Sequence, residues 1–205
     1  MKHRLFTLPL ALATLALPCA AHAQQPPHRA LVGATLGVGA VRGGAYSDQA
    51  ALWGYEDFHA GVSLALEGGA LVTPWLSLGG RLGMLRSSAG HSSADAQTLS
   101  LGMYDLGAWA RIGVPLGRAG ARVRGFLGVQ AEAGAVWATL DLRQQGTSSL
   151  APRFAATTVA QIAFDRVALG LRAGPRFSWW NDAGGRGVDL DLGGVDASMT
   201  VEVYL

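Results

Sequence analysis

Apolar and polar residues alternate with a period of two along most of this chain. Between Ala197 and Leu205, every second residue is apolar and the positions between them hold Ser, Thr, Glu and Tyr. This alternation places the apolar side chains on one face of a β-strand. Seven earlier segments show the same pattern, so the sequence predicts eight strands. They cover approximately residues 30–40, 58–67, 76–84, 99–114, 121–134, 154–164, 167–177 and 197–205.

The fourth predicted strand changes phase near its middle. Its apolar positions are odd-numbered from Leu99 to Met103 but even-numbered from Tyr104 to Val114. One extra residue in a strand exchanges its two faces. The sequence therefore predicts a β-bulge between Met103 and Asp105.

The connections between the predicted strands alternate between short and long. Thr-Pro-Trp at residues 73–75 joins strands two and three, and Asp165 and Arg166 are short enough for a two-residue hairpin between strands six and seven. The connections after strands one, three, five and seven are longer. This arrangement predicts an all-β fold, an eight-stranded antiparallel up-and-down barrel. In such barrels of bacterial outer membranes, the short turns face the periplasm and the long loops face outward.

The alternation alone does not decide which face of the barrel wall points outward. Only 15% of the residues are charged, 29 are Gly, and Lys2 is the single lysine. A secreted soluble barrel of the lipocalin type, which is the alternative, would expose a wall of Gly, Ser, Ala and Arg, an unusual surface in water. We therefore expect a transmembrane β-barrel with its apolar face against lipid and its polar face in the lumen.

Aromatic residues fall near the ends of the predicted strands, as in the aromatic girdles of outer-membrane barrels. The positions expected at the outer interface are Phe58, Phe154, Phe177 and Trp179, and those expected at the periplasmic interface are Trp75, Phe164 and Tyr204.

The beginning of the chain has the composition of a secretory signal peptide. Two basic residues precede an apolar run at residues 5–17, and Ala-His-Ala at residues 21–23 supplies small residues for cleavage. The apolar run is too short to cross a bilayer as a helix, which takes about 20 residues. We predict a signal peptide at residues 1–23, a barrel domain at residues 24–205, and localisation in the outer membrane of a Gram-negative bacterium.

Removal of the signal peptide changes the charge balance. The 16 basic residues become 14, all Arg, against 14 acidic residues, so the composition gives no reason to expect nucleic acid as a partner. The only cysteine, Cys19, is also removed, which leaves no disulfide and no thiolate ligand. The remaining histidines, His28, His59 and His91, are scattered along the chain. We therefore predict no metal site and no cofactor.

Charged residues on the polar faces of the strands are expected to meet in the lumen. Buried charges need partners, because an unpaired one costs several kcal/mol. The sequence therefore predicts a lumen plugged by Arg–Glu and Arg–Asp pairs and a structural or surface-interaction role. A narrow porin-like channel for small solutes is the alternative, since six Arg exceed four carboxylates. The predicted lumen charge network is Glu67, Arg81, Asp105, Arg111, Arg122, Arg124, Glu132, Arg172, Arg176 and Glu202.

Together, the signal peptide, the eight alternating strands, the hairpin at residues 71–83 and the closing Met-Thr-Val-Glu-Val-Tyr-Leu resemble the small outer-membrane barrels of the OmpA/OmpX type. The resemblance covers nearly all of residues 30–205. It implies that the last strand closes the barrel on the first and is read by the barrel-assembly machinery. Members end in an aromatic residue, whereas here Tyr204 precedes a final Leu205. The expected partners are outer-membrane lipid, lipopolysaccharide and that machinery, with the barrel a monomer.

The same resemblance raises one enzymatic alternative, because some eight-stranded barrels modify lipid A with a His and a Ser near the outer rim. His59 with Ser63, and His91 with the two serines that follow it, supply those residue types. His59 and Ser63 are four residues apart, however, or roughly 13 Å along a strand. We therefore expect no enzymatic activity.

Overall fold

In the computed structural model, the residues described are 30–93, 98–118, 121–142, 145–183 and 187–205. The predicted signal peptide lies outside these residues. The described chain forms strands and one short helix. Their bounds are β1 Ala30–Gly39, α1 Ala45–Leu52, β2 Gly61–Thr73, β3 Leu76–Ala89, β4 Leu99–Leu116, β5 Val123–Leu142, β6 Gln145–Phe164, β7 Val167–Trp180, β8 Leu190–Asp191 and β9 Gly194–Tyr204.

Eight of the strands form one closed antiparallel barrel. Each strand from β1 to β7 pairs with the next one in the chain, and β9 pairs with both β7 and β1. The β1–β9 pairing runs from Leu31 opposite Tyr204 to Gly39 opposite Asp196. The last strand therefore closes the barrel on the first, as predicted, so the ring has no free edge. The two-residue β8 pairs only with the end of β7.

The outward face of the barrel is apolar and the lumen holds the charges. Leu66, Leu106 and Met199 are 64, 63 and 65% exposed, whereas Glu67 and Arg111 are 3 and 2% exposed. This is the orientation expected from the composition. A soluble barrel of the lipocalin type would have the opposite orientation, because it would bury the apolar face.

The two ends of the barrel differ, and we call them the turn end and the loop end. The turn end holds both Ala30 and Tyr204 and the short connections between strands. Asp165 and Arg166 form a two-residue hairpin there, and Asp165 adopts a φ of 54°, in the left-handed region that such turns require. The loop end holds α1, β8 and the longer connections.

Several strands extend further toward the loop end than the sequence predicted, and β5 and β6 do so by the most residues. β5 continues to Leu142 and β6 begins at Gln145, with pairing along the whole length. The predicted long connection after the fifth strand was therefore wrong over most of its length. Gly, Ser and Gln are common in loops, but cross-strand backbone hydrogen bonds keep this hairpin regular beyond the apolar wall.

The predicted bulge at Met103–Asp105 is also wrong. β4 pairs with β3 without a register shift from Leu76 opposite Ile112 to Ala89 opposite Leu99. The phase of the sequence changes because the lumen itself changes from charged to apolar at this level. Leu99, like Met103, is an inward residue that happens to be apolar.

Aromatic rings do mark both ends of the outward wall. Ten residues separate Phe154 from Phe164, which is about 33 Å along the strand and about 25 Å along the axis at the usual tilt of about 40°. That height matches the apolar band of outer-membrane barrels. Two predicted members were wrong: Phe58 is buried inside the loop end, and Tyr204 faces the lumen beside Glu202. The outward rings are those of Trp75, Tyr104, Trp137, Phe154, Phe164, Phe177 and Trp179.

A short helix and a cluster of buried apolar side chains lie at the loop end. Helix α1 buries Tyr46 and Ala50 against the barrel. No helix in the described part of the chain is long and apolar enough to span a membrane. We call the cluster of buried apolar side chains at the loop end the apolar cap. Its members are Val41, Tyr46, Ala50, Tyr55, Phe58, Leu85, Ala89, Leu99, Leu101, Met103, Val136, Ala138, Leu140, Ala151, Trp180, Ala183, Leu190 and Leu192.

Candidate functional site in the barrel lumen

The centre of the lumen holds two glutamates between two arginines. Arg111 binds Glu202 at two points, with Nη2–Oε1 2.6 Å and Nη1–Oε2 3.0 Å. Arg172 donates to Glu202 Oε1 at 2.6 Å and to Glu67 Oε1 at 2.5 Å. All four side chains are at most 2% exposed. Because they come from β2, β4, β7 and β9, this quartet ties together strands around the whole ring.

A second group of ion pairs lies next to the quartet. Arg81 Nε is 3.2 Å from Asp105 Oδ1, and Arg81 Nη1 is 3.3 Å from Glu67 Oε1. Arg153 Nη1 is 2.7 Å from Glu132 Oε2. Arg81 also lies 3.7 Å from Glu132, and because its other partner Glu67 belongs to the quartet, the two groups form one continuous network.

Two glutamines and a tryptophan complete the surroundings of Arg111. Its Nε donates to Gln130 Oε1 at 3.0 Å and its Nη1 to Gln161 Oε1 at 3.2 Å. Its guanidinium carbon lies 5.0 Å from the centre of the Trp109 ring, within cation–π range. Several partners in fixed positions hold this cation, which favours a single geometry of the network.

One further pair lies toward the loop end. Arg176 Nη1 is 2.6 Å from Asp196 Oδ1. Arg176 also donates to the backbone oxygens of Leu192 and Ala40, at 3.2 and 3.0 Å. It thereby links the wall to the chain that leads into the apolar cap.

Among the described residues, the ion pairs of the lumen contain five Arg (81, 111, 153, 172 and 176) and five carboxylates (67, 105, 132, 196 and 202), so their charges sum to zero. The predicted set held six Arg and four carboxylates, a surplus of two positive charges; the paired residues by themselves carry no surplus, and Arg124 stands outside this count. Arg122 is exposed before β5, whereas Arg124 is part-buried on the inward face of β5 near the turn end and belongs to none of these pairs.

The structure brings eight of the ten predicted network residues together in ion pairs. The sequence reasoning missed Arg153 and Asp196, because both fell in segments taken for loops. It also missed Gln130 and Gln161, which are inward residues of β5 and β6. Counting inward positions along longer strands would have found all four.

A small cavity remains inside the network, with a volume of about 20 Å³. Arg153, Thr157 and Arg172 line it, and the Nε of each arginine and the hydroxyl of Thr157 have no partner in the described protein. The volume is enough for one water molecule, which needs about 10–15 Å³ by this measure.

The histidines considered for catalysis are His59 and His91. His59 is exposed, 3.7 Å from Glu56, whereas Ser63 faces the lumen. His91 Nδ1 accepts the backbone N–H of Ser93 at 2.9 Å, and its Nε2 lies 2.8 Å from the backbone oxygen of Trp53. Both ring nitrogens of His91 therefore hold backbone groups of the loops. No group of three or more potential metal ligands occurs among the residues that the structure describes.

Comparison with known proteins places the chain in a family. A family model described as "Outer membrane protein beta-barrel domain" matches residues 10–190. No curated protein gives a significant sequence match. Neisserial surface protein A (NspA) is a similar solved structure, 13% identical, covering 86% of this chain and 97% of that chain with a TM-score of 0.55. Ail, the attachment invasion locus protein of Yersinia pestis, solved with the heparin analogue sucrose octasulfate, is 13% identical with the same coverages and a TM-score of 0.49.

The family match covers most of the chain, and the NspA structure shares the fold. The closed ring, the apolar outward wall and the charged lumen are those of a transmembrane barrel. The chain belongs to the outer membrane protein β-barrel domain family and is an eight-stranded outer-membrane β-barrel.

Proposed function

We propose that this protein is a structural or surface-interaction barrel whose lumen is closed and whose loop end carries its contacts outside the cell. The observation that carries the proposal is the pair of packed layers in the lumen. The charge network fills the middle of the barrel, and the apolar cap fills the loop end above it.

The two layers oppose the passage of ions in different ways. In the network, an ion would have to separate pairs as short as 2.6 Å between Arg111 and Glu202. Separation would leave buried charges without partners, at a cost of several kcal/mol. In the apolar cap, an ion would lose its hydration without gaining polar contacts. These costs support a plug rather than a channel.

The surface of the loop end is suited to contact with other molecules. Leu52, at the end of α1, is 84% exposed, and the neighbouring Trp53 is 39% exposed. Exposed apolar and aromatic side chains are enriched in interaction surfaces. Packing of α1 on the apolar cap holds Leu52 and Trp53 in place at this surface.

Single cysteines test which end faces outward, since the predicted mature chain contains none. Leu52→Cys at the loop end should react with a membrane-impermeant maleimide on intact cells. Pro74→Cys, in the exposed turn between β2 and β3, should react only after the cells are opened. Reaction of Pro74→Cys on intact cells, with Leu52→Cys protected, would overturn the proposed orientation. The wild-type protein serves as the unlabelled control.

A further inference from the structure

Two depressions on the outer side of the barrel share strand β7. One, the wall hollow, has a volume of about 730 Å³, and the other, the rim pocket, about 350 Å³. Both are shallow and open to their surroundings. The wall hollow is defined by Val38, Val62, Leu171, Ala173, Ala197 and Met199. The rim pocket is defined by Arg42, Phe177, Trp179, Asp189 and Asp191.

Short side chains create the wall hollow. Ala173 of β7 and Ala197 of β9 are direct cross-strand partners. The next outward pair toward the turn end, Leu171 and Met199, is much longer and strongly exposed. A barrel wall is convex, so a recess in it requires short side chains beside long ones. The recess is apolar, as an acyl chain requires.

Strand β7 connects the two depressions. Ala173 lies in the wall hollow, Pro175 is the next outward residue, and Phe177 and Trp179 lie in the rim pocket. Six residues from Ala173 to Trp179 span about 20 Å along a strand, or about 15 Å along the axis at a tilt of about 40°. One leaflet contributes about 15 Å of hydrocarbon. The spacing therefore matches a lipid whose headgroup is in the pocket and whose acyl chain is in the hollow.

The charges of the rim pocket favour hydroxyl groups over phosphate. Arg42 Nε lies 3.2 Å from Asp191 Oδ2, so the cation of the pocket is already paired. Asp189 accepts the backbone N–H of Asp182 with Oδ1 and adds a second carboxylate. Among the residues that the structure describes, the pocket lining therefore carries one positive and two negative charges, a net charge of −1. Carboxylates accept hydrogen bonds from hydroxyls and repel phosphate.

The aromatic rings of the pocket supply the other feature of a saccharide site. Phe177 and Trp179 are both outward and nearly half exposed at the loop-end interface. An aromatic face combines apolar contact with a position between hydrocarbon and water. The C–H faces of a sugar ring can pack on it while the hydroxyls reach the carboxylates.

We propose that this wall binds one glycolipid, with an acyl chain in the wall hollow and an uncharged saccharide headgroup in the rim pocket. The assignment of the lipid to the outer leaflet rests on the proposed function, in which the loop end faces outward. Binding itself depends neither on that orientation nor on closure of the lumen, so its failure would be distinct from failure of the proposed function.

Native mass spectrometry of the full processed protein tests the proposal. The protein is folded in an amine-oxide detergent, because alkyl glycoside detergents would compete for the site. The probes are monoglucosyl dioleoylglycerol, dioleoylphosphatidylglycerol and methyl glucoside. We expect retention of one glucosyl lipid, about tenfold more strongly than the phosphatidylglycerol, and no retention of methyl glucoside. Equal retention of the two lipids, or retention of the sugar alone, would overturn the proposal.

Matched variants locate the site. Ala173→Phe fills the wall hollow and Trp179→Ala removes a ring of the rim pocket, and each should weaken retention of the glucosyl lipid about tenfold. The controls are Ala110→Phe, a small outward residue on β4, and Trp137→Ala, a ring of the same interface on β5. Undiminished retention in both site variants, or equal loss in the controls, would contradict the proposal. Folding of each variant is checked by its heat-modifiable gel migration, and the comparison of lipids on the wild type stands without them.

Discussion

Arg111 and Glu202 are 91 positions apart in the sequence and form a two-point ion pair across the lumen, with distances of 2.6 and 3.0 Å. They join β4 to β9, the strand that closes the barrel on β1. Arg172 shares the same carboxylate, so Glu202 compensates two cations at once. Removal of this glutamate should therefore be the most damaging single change in the network.

Substitution Glu202→Leu should lower the free energy of unfolding by about 3–5 kcal/mol, because it leaves buried Arg111 and Arg172 undercompensated. The double variant with Arg111→Met restores the charge balance and should be more stable than the Glu202→Leu single variant. Urea unfolding in lipid vesicles, followed by tryptophan fluorescence, measures both.

A matched control is Arg122→Met, since Arg122 is exposed outside the network. This substitution should change the free energy of unfolding by no more than about 0.5 kcal/mol. A double variant no more stable than Glu202→Leu would show that charge compensation does not govern the lumen.

An arginine on the outward wall should be costly in proportion to its depth. Leu82 lies between Trp75 and Arg86 on the outward face of β3. The substitution Leu82→Arg should lower the free energy of unfolding by about 2–4 kcal/mol. Leu150 lies beyond Phe154 toward the loop end, so Leu150→Arg should lower the free energy of unfolding by no more than about 1 kcal/mol. The same urea titration in vesicles compares the two. Equal costs would contradict the depth assigned to the apolar band.

Two glycines of the β2–β3 hairpin, Gly68 and Gly79, should differ in how much stability is lost when a side chain is added. A Cβ at Gly79 would lie 2.4 Å from the Trp109 ring, whereas one at Gly68 would have no atom within 4 Å. Gly79→Leu should therefore displace Trp109 from Arg111 and cost about 1–3 kcal/mol. Gly68→Leu should be nearly neutral in vesicles. A Gly79→Leu variant with unchanged stability and tryptophan emission would show that this packing is loose.

The cavity in the network should hold one ordered water. Its lining residues Arg153, Thr157 and Arg172 each present a polar atom without a protein partner, and buried water commonly satisfies such groups. A crystal structure at high resolution should show density within hydrogen-bond distance of these atoms. Refined density that leaves the cavity empty would contradict this prediction.

Much of the fold could be predicted because the wall faces two unlike environments. Period-two alternation fixes which residues share a face, and short connections such as Asp165–Arg166 fix the antiparallel order. The alternation becomes uninformative where both faces of a strand are apolar. That is why Leu99 and Met103, which belong to the apolar cap, suggested a bulge that the pairing does not contain.

The lumen was only partly predictable for a related reason. Inward charges such as Glu67 and Arg111 stand within regular alternation and could be identified from the sequence alone. Arg153 and Asp196 lie beyond the regular pattern, in extensions that cross-strand pairing and contacts with the cap hold in place. Local sequence carries little information about such long-range support.

Planar-bilayer conductance of the purified, folded protein tests the central claim most directly. A lumen closed by the charge network and the apolar cap predicts a silent bilayer, without steps of defined size, over the range of voltages that the membrane withstands. Steady channels of reproducible conductance from the folded wild-type barrel would contradict the account.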